Sequence, residues 1–184
     1  FFSLILIATG TTDLTWAPEI SSTLTLAPGI YTYLFAVGLI VMYFFSITLV
    51  SGAAAITLFG FSALYAAIAG VPYFLDSDIP AAVFLGLHLL ITDPSTSPRT
   101  PLGKTLFGVL YGIGVFALYT ILGWFGEPTL YDKLLCVPLL NLSVIGIDRL
   151  VRRINSDAVL NLWNPSWFSG RANVAHMMIW ISVF

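Results

Sequence analysis

The 184-residue chain is 58% hydrophobic and only 9% charged, with a formal net charge of −2. Soluble domains carry about a quarter charged residues, so this chain has too few to coat a water-facing surface. The composition indicates an all-α, polytopic membrane helix bundle; its continuous apolar runs lack the period-two alternation of a transmembrane barrel. Nor is there a basic footprint for nucleic acid. The lone Cys136 excludes an internal disulfide, and an iron–sulfur cluster or Cys-based zinc site built by this chain alone. It is expected to pack as a small apolar residue.

In chain order, Phe1-Phe2-Ser3-Leu4-Ile5-Leu6-Ile7 lacks the basic n-region of a signal peptide and reads as a partial helix. Thr11 to Gly29, rich in Thr and Ser, reads as a solvated connection. Ile30–Val50 and Gly52–Gly70 each approach the ~20 residues of a spanning helix, with a tight hairpin expected at Ser51-Gly52. Pro80–Thr92 is apolar but short, ~20 Å at the helical rise. It is expected to be a half-helix, or a tilted helix extended upstream through Tyr73 and kinked at Pro80. Thr105–Phe125 and Leu134–Ile147 follow, the second interrupted by Pro138. After Arg153 comes an interfacial stretch with Trp163 and Trp167, then a final partial helix ending Met177-Met178-Ile179-Trp180-Ile181-Ser182-Val183-Phe184. The expectation is about five crossing elements plus partial helices at both ends, in one transmembrane domain over 1–184 that is a piece of a longer chain.

Threading these segments alternately places Asp13, Glu19, Asp76, Asp78, Glu127, Asp132 and Lys133 on one side. Arg99, Lys104, Arg149, Arg152, Arg153 and Arg171 fall on the other. The positive-inside rule makes the basic side cytoplasmic, and with it segments 93–104 and 149–171.

The stretch Thr92-Asp93-Pro94-Ser95-Thr96-Ser97-Pro98-Arg99 stands out between two apolar runs. Pro94 biases Asp93 away from helical geometry, and Asp, Ser and Thr beside proline cap helix ends by local hydrogen bonds. Two readings follow. One is a capped turn joining two helices. The other is a ligand-facing loop whose hydroxyls meet a polar ring or phosphate, with Arg99 or Lys104 adding positive charge. His88, at membrane depth, is a candidate proton relay or ligand, or a neutral histidine bonded to a neighbouring helix. Asn141 and Ser143 suit interhelical hydrogen bonds, and Gly108, Gly112 and Gly114 allow close helix packing. Trp163, Trp167 and Trp180 read as interface anchors.

Ile91-Thr92-Asp93-Pro94-Ser95-Thr96-Ser97-Pro98 resembles the Ala-Thr-Asp-Pro-Val-Thr-Ser-Pro loop of one membrane-protein family. That family contains the Rnf complex D subunit and the NqrB subunit of the sodium-pumping NADH:quinone oxidoreductase. The similarity continues in register through Gly103-Lys104, Tyr111-Gly112-Ile113-Gly114, Gly126-Glu127-Pro128, and Asn141 with Asp148 seven residues later. It covers roughly Val83 to Leu150.

The resemblance implies an integral subunit of a bacterial cytoplasmic-membrane electron-transfer complex, partnered by other membrane subunits and the lipid bilayer, with flavin as the family cofactor. Asp93, Ser95, Thr96 and Ser97 then border a flavin or ion pathway, and His88 is the intramembrane proton or ligand site. The family attaches FMN to the last Thr of a Ser/Thr-Gly-Ala-Thr motif well upstream. The similar string here, Ser51-Gly52-Ala53-Ala54, has Ala54 at the acceptor position and lies close to Asp93. Covalent FMN is therefore not supported by these residues: either the true motif lies before Phe1 or this branch has lost covalent flavin, and a non-covalent flavin near Asp93–Ser97 stays compatible with both. The alternative function is a scaffold subunit reusing the fold without cofactor. A third is a transporter using the broken Pro80–Thr92 element as its binding site.

Overall fold

The apolar runs form helices, and the described part of the chain contains no strand. The structure, a computed structural model, describes residues 29–74, 81–93, 95–126, 131–154 and 170–183. Helix α1 spans Gly29–Phe45, α2 Thr48–Ala69 and α3 Ala81–Leu85, which runs on as a π-helical turn over Gly86–Leu90. Helix α4 covers Pro101–Phe125, α5 Tyr131–Arg153 and α6 Gly170–Val183.

Two helices, α2 (22 residues) and α4 (25 residues), are long and apolar enough to cross a membrane. At the helical rise they measure about 33 and 38 Å, against a hydrocarbon core of about 30 Å. Both stop where a glycine takes a left-handed conformation, Gly70 at φ 72° and Gly126 at φ 71°. Large apolar side chains point outward: Ile68 is 79% exposed, Leu142 82% and Trp124 85%.

Three expectations are corrected. The hairpin turns at Ser46-Ile47, with Ser46 at φ 52° and its N–H donating to the Met42 carbonyl at 3.0 Å. Ser51 and Gly52 lie inside α2, because a small polar residue in an apolar helix can serve packing rather than turning. Pro138 does not interrupt its segment, which is continuous from Tyr131 to Arg153; proline removes one ladder bond, and the helix runs on through it. Trp180 is buried to 6% exposure and no interface anchor. The Pro80–Thr92 element is helical from Ala81 and ends after Leu90, the length of a half-helix, while Tyr73 and Phe74 lie in non-helical bends. The N-terminal run, the 11–28 connection, Trp163, Trp167 and the Glu127-Pro128 turn lie outside the described residues.

Helix directions follow from side-chain contacts. A Cβ on Gly108 would strike the Val50 carbonyl oxygen, and one on Gly112 would sit 2.8 Å from Thr57 Cβ. Sequence order along both contacts is the same, so α2 and α4 run parallel. Helix α5 returns antiparallel to α4: Gly114 faces Cys136 Sγ at 2.6 Å, and Gly103 faces Asp148 Oδ1 at 3.5 Å, both measured from the added Cβ. Cys136 packs as an apolar residue should, its thiol donating to the Tyr111 carbonyl at 3.7 Å. Between α2 and α4 the chain returns through α3, which lies against α1 by Tyr31–Phe84 and Phe35–His88 ring contacts.

The glycine face makes a sharp prediction. Gly112→Val should destabilise the detergent-solubilised protein by about 1–3 kcal/mol through overpacking. Gly60→Ala, whose Cβ meets nothing within 4 Å, should stabilise it by roughly 0.5–1 kcal/mol. Thermal midpoints of the two variants check this.

Candidate functional site

The polar loop folds around one carboxylate. Asp93 Oδ1 accepts from the Ser95 N–H at 2.9 Å and from the Ser95 hydroxyl at 2.7 Å. Oδ2 accepts from Ser95 Oγ at 2.8 Å and Thr96 Oγ1 at 3.2 Å, while Ser97 Oγ donates to the Asp93 carbonyl at 2.7 Å. All three hydroxyls singled out in the sequence are thus turned onto Asp93. The Ser95 hydroxyl first, then its backbone N–H, hold the Asp93 carboxyl below the ordinary carboxylate range, with Thr96 adding to them and slight burial opposing.

The loop then feeds α4. Thr100 is extended, and its Oγ1 accepts from the Gly103 N–H at 3.1 Å, with Pro101 opening the helix. That is an N-cap followed by an N1 proline, the arrangement the sequence Thr100-Pro101 favours. Gly103 leaves room for Pro98 on one side and Asp148 Oδ1 on another. Asp148 Oδ1 and Asn141 Oδ1 are buried atoms without a hydrogen-bond partner among the described residues. Ser143 donates to its own helix, at the Leu140 carbonyl, 2.6 Å away. Among the described residues, neither Asn141 nor Ser143 makes the interhelical bond expected of it.

His88 lies in the π turn, completely buried. Trp180 Nε1 sits 3.2 Å from Nε2, and Nδ1 lies 2.9 Å from the Phe84 carbonyl. An indole N–H only donates, so Nε2 accepts and the ring proton resides on Nδ1, which donates to Phe84. The neutral ring stacks on Phe84 with centroids 4.1 Å apart, and Gly38 packs directly against it. In this tautomer the Nε2 lone pair, the ring's one site for a ligand or proton, faces Trp180 Nε1. His88 thus ties the half-helix to α6, five positions before Asp93, and meets the start of the loop through Thr92, whose hydroxyl donates to the His88 carbonyl at 2.8 Å.

Sequence reading missed the residues that dock α6 and α3. Thr48 donates to Asn173 Oδ1 at 3.0 Å, and Asn173 Nδ2 donates to the Met42 carbonyl at 3.0 Å. Ser51 donates to the Leu87 carbonyl at 2.8 Å. The available signal was a set of single small polar residues within apolar runs, without a hint of their partners.

Among the described residues, the Ser51-Gly52-Ala53-Ala54 string offers no acceptor for covalently attached flavin. Ala54 carries no oxygen and is fully buried in α2, where its backbone N lies 3.0 Å from an added Gly108 Cβ. Among the described residues, no group of three or more His, Cys, Asp or Glu is placed to hold a metal ion. Compared with family models, characterised proteins and solved structures, the chain matches none.

Two measurements probe these contacts. Asp93→Ala should lower stability by about 1 kcal/mol at pH 7, the scale of one net hydrogen bond. Because folding depresses the carboxyl, its contribution is complete above the ordinary range near 3.9 and disappears as pH falls through the lower folded value. Denaturation midpoints of the wild type and Asp93→Ala should therefore draw together as pH falls below that range. Trp180→Phe strands the His88 acceptor and should cost about 1–3 kcal/mol, whereas Trp124→Phe, at an exposed site, should stay within about 0.5 kcal/mol; paired thermal melts decide.

Proposed function

We propose that this chain is an integral membrane subunit of a multi-subunit electron-transfer complex, similar to the Rnf D/NqrB family. It assists electron or cation transfer across a bacterial cytoplasmic membrane, with its basic end toward the cytoplasm. The observation that carries this reading is a convergence. The Pro98–Gly103 end of the family-like loop and Asp148, 45 positions after Gly103, meet at the start of α4. Residues quoted separately for the resemblance thus form one structural unit. The outward apolar side chains of α2, α4 and α5 suit lipid contact. Of the described basic residues, Arg99, Lys104, Arg149, Arg152 and Arg153 belong to the end where α4 begins and α5 finishes, while Lys133 stands in the first turn of α5 at the other end; the excess at one end is in keeping with the orientation rule.

A second reading is favoured by a specific observation. The loop hydroxyls bind Asp93 and both His88 nitrogens are engaged, as expected of a scaffold subunit that anchors partners without a cofactor. In that reading the loop is a capped turn. In the first it borders a charge-transfer path between subunits.

Asp93→Ala in the assembled complex separates the two. The first reading expects turnover per assembled complex to fall severalfold. Unchanged turnover with reduced assembly supports the scaffold. A purified full-length protein free of both covalent and extractable flavin, in a complex without redox activity, overturns the electron-transfer reading.

A further inference from the structure

Two cavities meet at the basic end of the bundle. One, of about 200 Å³, is polar and is lined by Ser46, Arg99, Lys104, Asn173 and His176, with Leu49 and Pro101 completing its wall. The other, of about 630 Å³, is an apolar groove between α2, α4 and α6. Leu49 and His176 line both, so the groove opens at its head onto the polar pocket.

The groove is made by small residues on α2, Gly52, Ala53 and Ala55, facing Val109 of α4 and Ile179 of α6. Its three threonines add little polarity. Thr57 and Thr105 turn their hydroxyls onto Ala53 and Pro101 carbonyls of their own helices, at 2.8 and 3.2 Å, and Thr48 is bonded to Asn173. Along α2 the lining runs from Thr48 to Phe59, about 16 Å at the helical rise. That is close to half the ~30 Å hydrocarbon core, the depth of one leaflet. The polar pocket contributes two cations and no carboxylate to its lining. Lys104 Nζ donates to the Ser46 carbonyl at 3.3 Å, which fixes its charge at the pocket wall while leaving two N–H donors. The Arg99 guanidinium suits bidentate recognition of a phosphate.

We propose that the two cavities form one binding site for an anionic phospholipid of the cytoplasmic leaflet. Its phosphate sits between Arg99 and Lys104, and one acyl chain lies in the α2–α4–α6 groove. The match is of charge to charge at the head and of apolar length to leaflet depth below it. Basic pockets between helices on the cytoplasmic side have this preference in general. The inference rests on the membrane reading above but not on any redox activity.

The full-length protein, in its complex if it has one, should be extracted and incubated with dioleoyl phosphatidylglycerol or dioleoyl phosphatidylcholine, and adducts counted by native mass spectrometry. Phosphatidylglycerol should be retained one per chain and preferred over phosphatidylcholine. Arg99→Gln should weaken its retention by about fivefold, the worth of one interfacial cation, and Lys104→Gln by a similar factor. Gly52→Leu fills open space, since a Cβ there meets nothing within 4 Å; it should block the acyl chain without disturbing the bundle. Equal retention of the two lipids, or phosphatidylglycerol retention unaffected by Arg99→Gln and Lys104→Gln, overturns the proposal. So does competition by water-soluble glycerophosphoglycerol as strong as by the lipid, which marks a free-phosphate site, or a co-purified quinone displaced by Gly52→Leu. Alkaline carbonate washing keeps the two levels apart: release of the chain from membranes defeats the membrane reading itself, whereas a retained chain without lipid preference defeats only this site.

Discussion

A backbone carbonyl in apolar surroundings must find a donor within the protein, and the bundle is organised around meeting that requirement at the π turn. Here the Ile91 N–H bonds the Gly86 carbonyl at 3.0 Å, one residue further back than in an α-helix. The Leu87 carbonyl thereby loses its ordinary partner. Ser51 supplies the replacement from α2, and the Thr92 hydroxyl does the same for His88. Without such donors each stranded group, buried in an apolar core, would cost about 2–7 kcal/mol. The half-helix is thus fixed in place by residues outside it, and its π geometry sets where His88 points.

The other contacts build on that placement. Gly38 lies against His88 and Gly86 lies against Tyr111, so α1 and α4 both close on the π turn where no side chain intervenes. Helix α4 also sits tightly on α2 through Gly108 and Gly112. Helix α6 is added last in this hierarchy, held by Asn173 at one end and Trp180 toward the other. Because α6 is attached through a few buried polar bonds and leaves an apolar gap beside α2 and α4, it forms one wall of the lipid-sized groove.

The sequence made the helical class legible, because long apolar runs with few charges allow little else. It also exposed the packing of α4, since Gly108, Gly112 and Gly114 stand at helical spacing, and the start of that helix at Thr100-Pro101. The turn at Ser46 was not legible: Ser51-Gly52 looks more like a break, and only the distant Leu87 carbonyl explains why it is helix. Likewise, the partners His88 and Trp180 are 92 residues apart, and no local pattern joins them. At the loop, the residue types announced a polar feature. Which way the hydroxyls face depends on Asp93 geometry, and it bears directly on whether the loop binds or merely caps.

Function and architecture connect at this point. The family-like loop, the Thr100 cap, Gly103 and Asp148 form one end of α4, while the π turn and its donors fix the half-helix that leads into the loop. A redox-complex subunit and a scaffold would both need that rigidity, and only the first needs the loop to face a path for charge. Either depends on the Ser51–Leu87 clamp. Isotope-edited infrared spectroscopy of a ¹³C=¹⁸O label at the Leu87 carbonyl measures that clamp directly. Ser51→Ala should shift the label's amide I band to higher frequency as the hydrogen bond is lost, while Thr57→Ala should leave it in place. A band unmoved by Ser51→Ala would contradict the account.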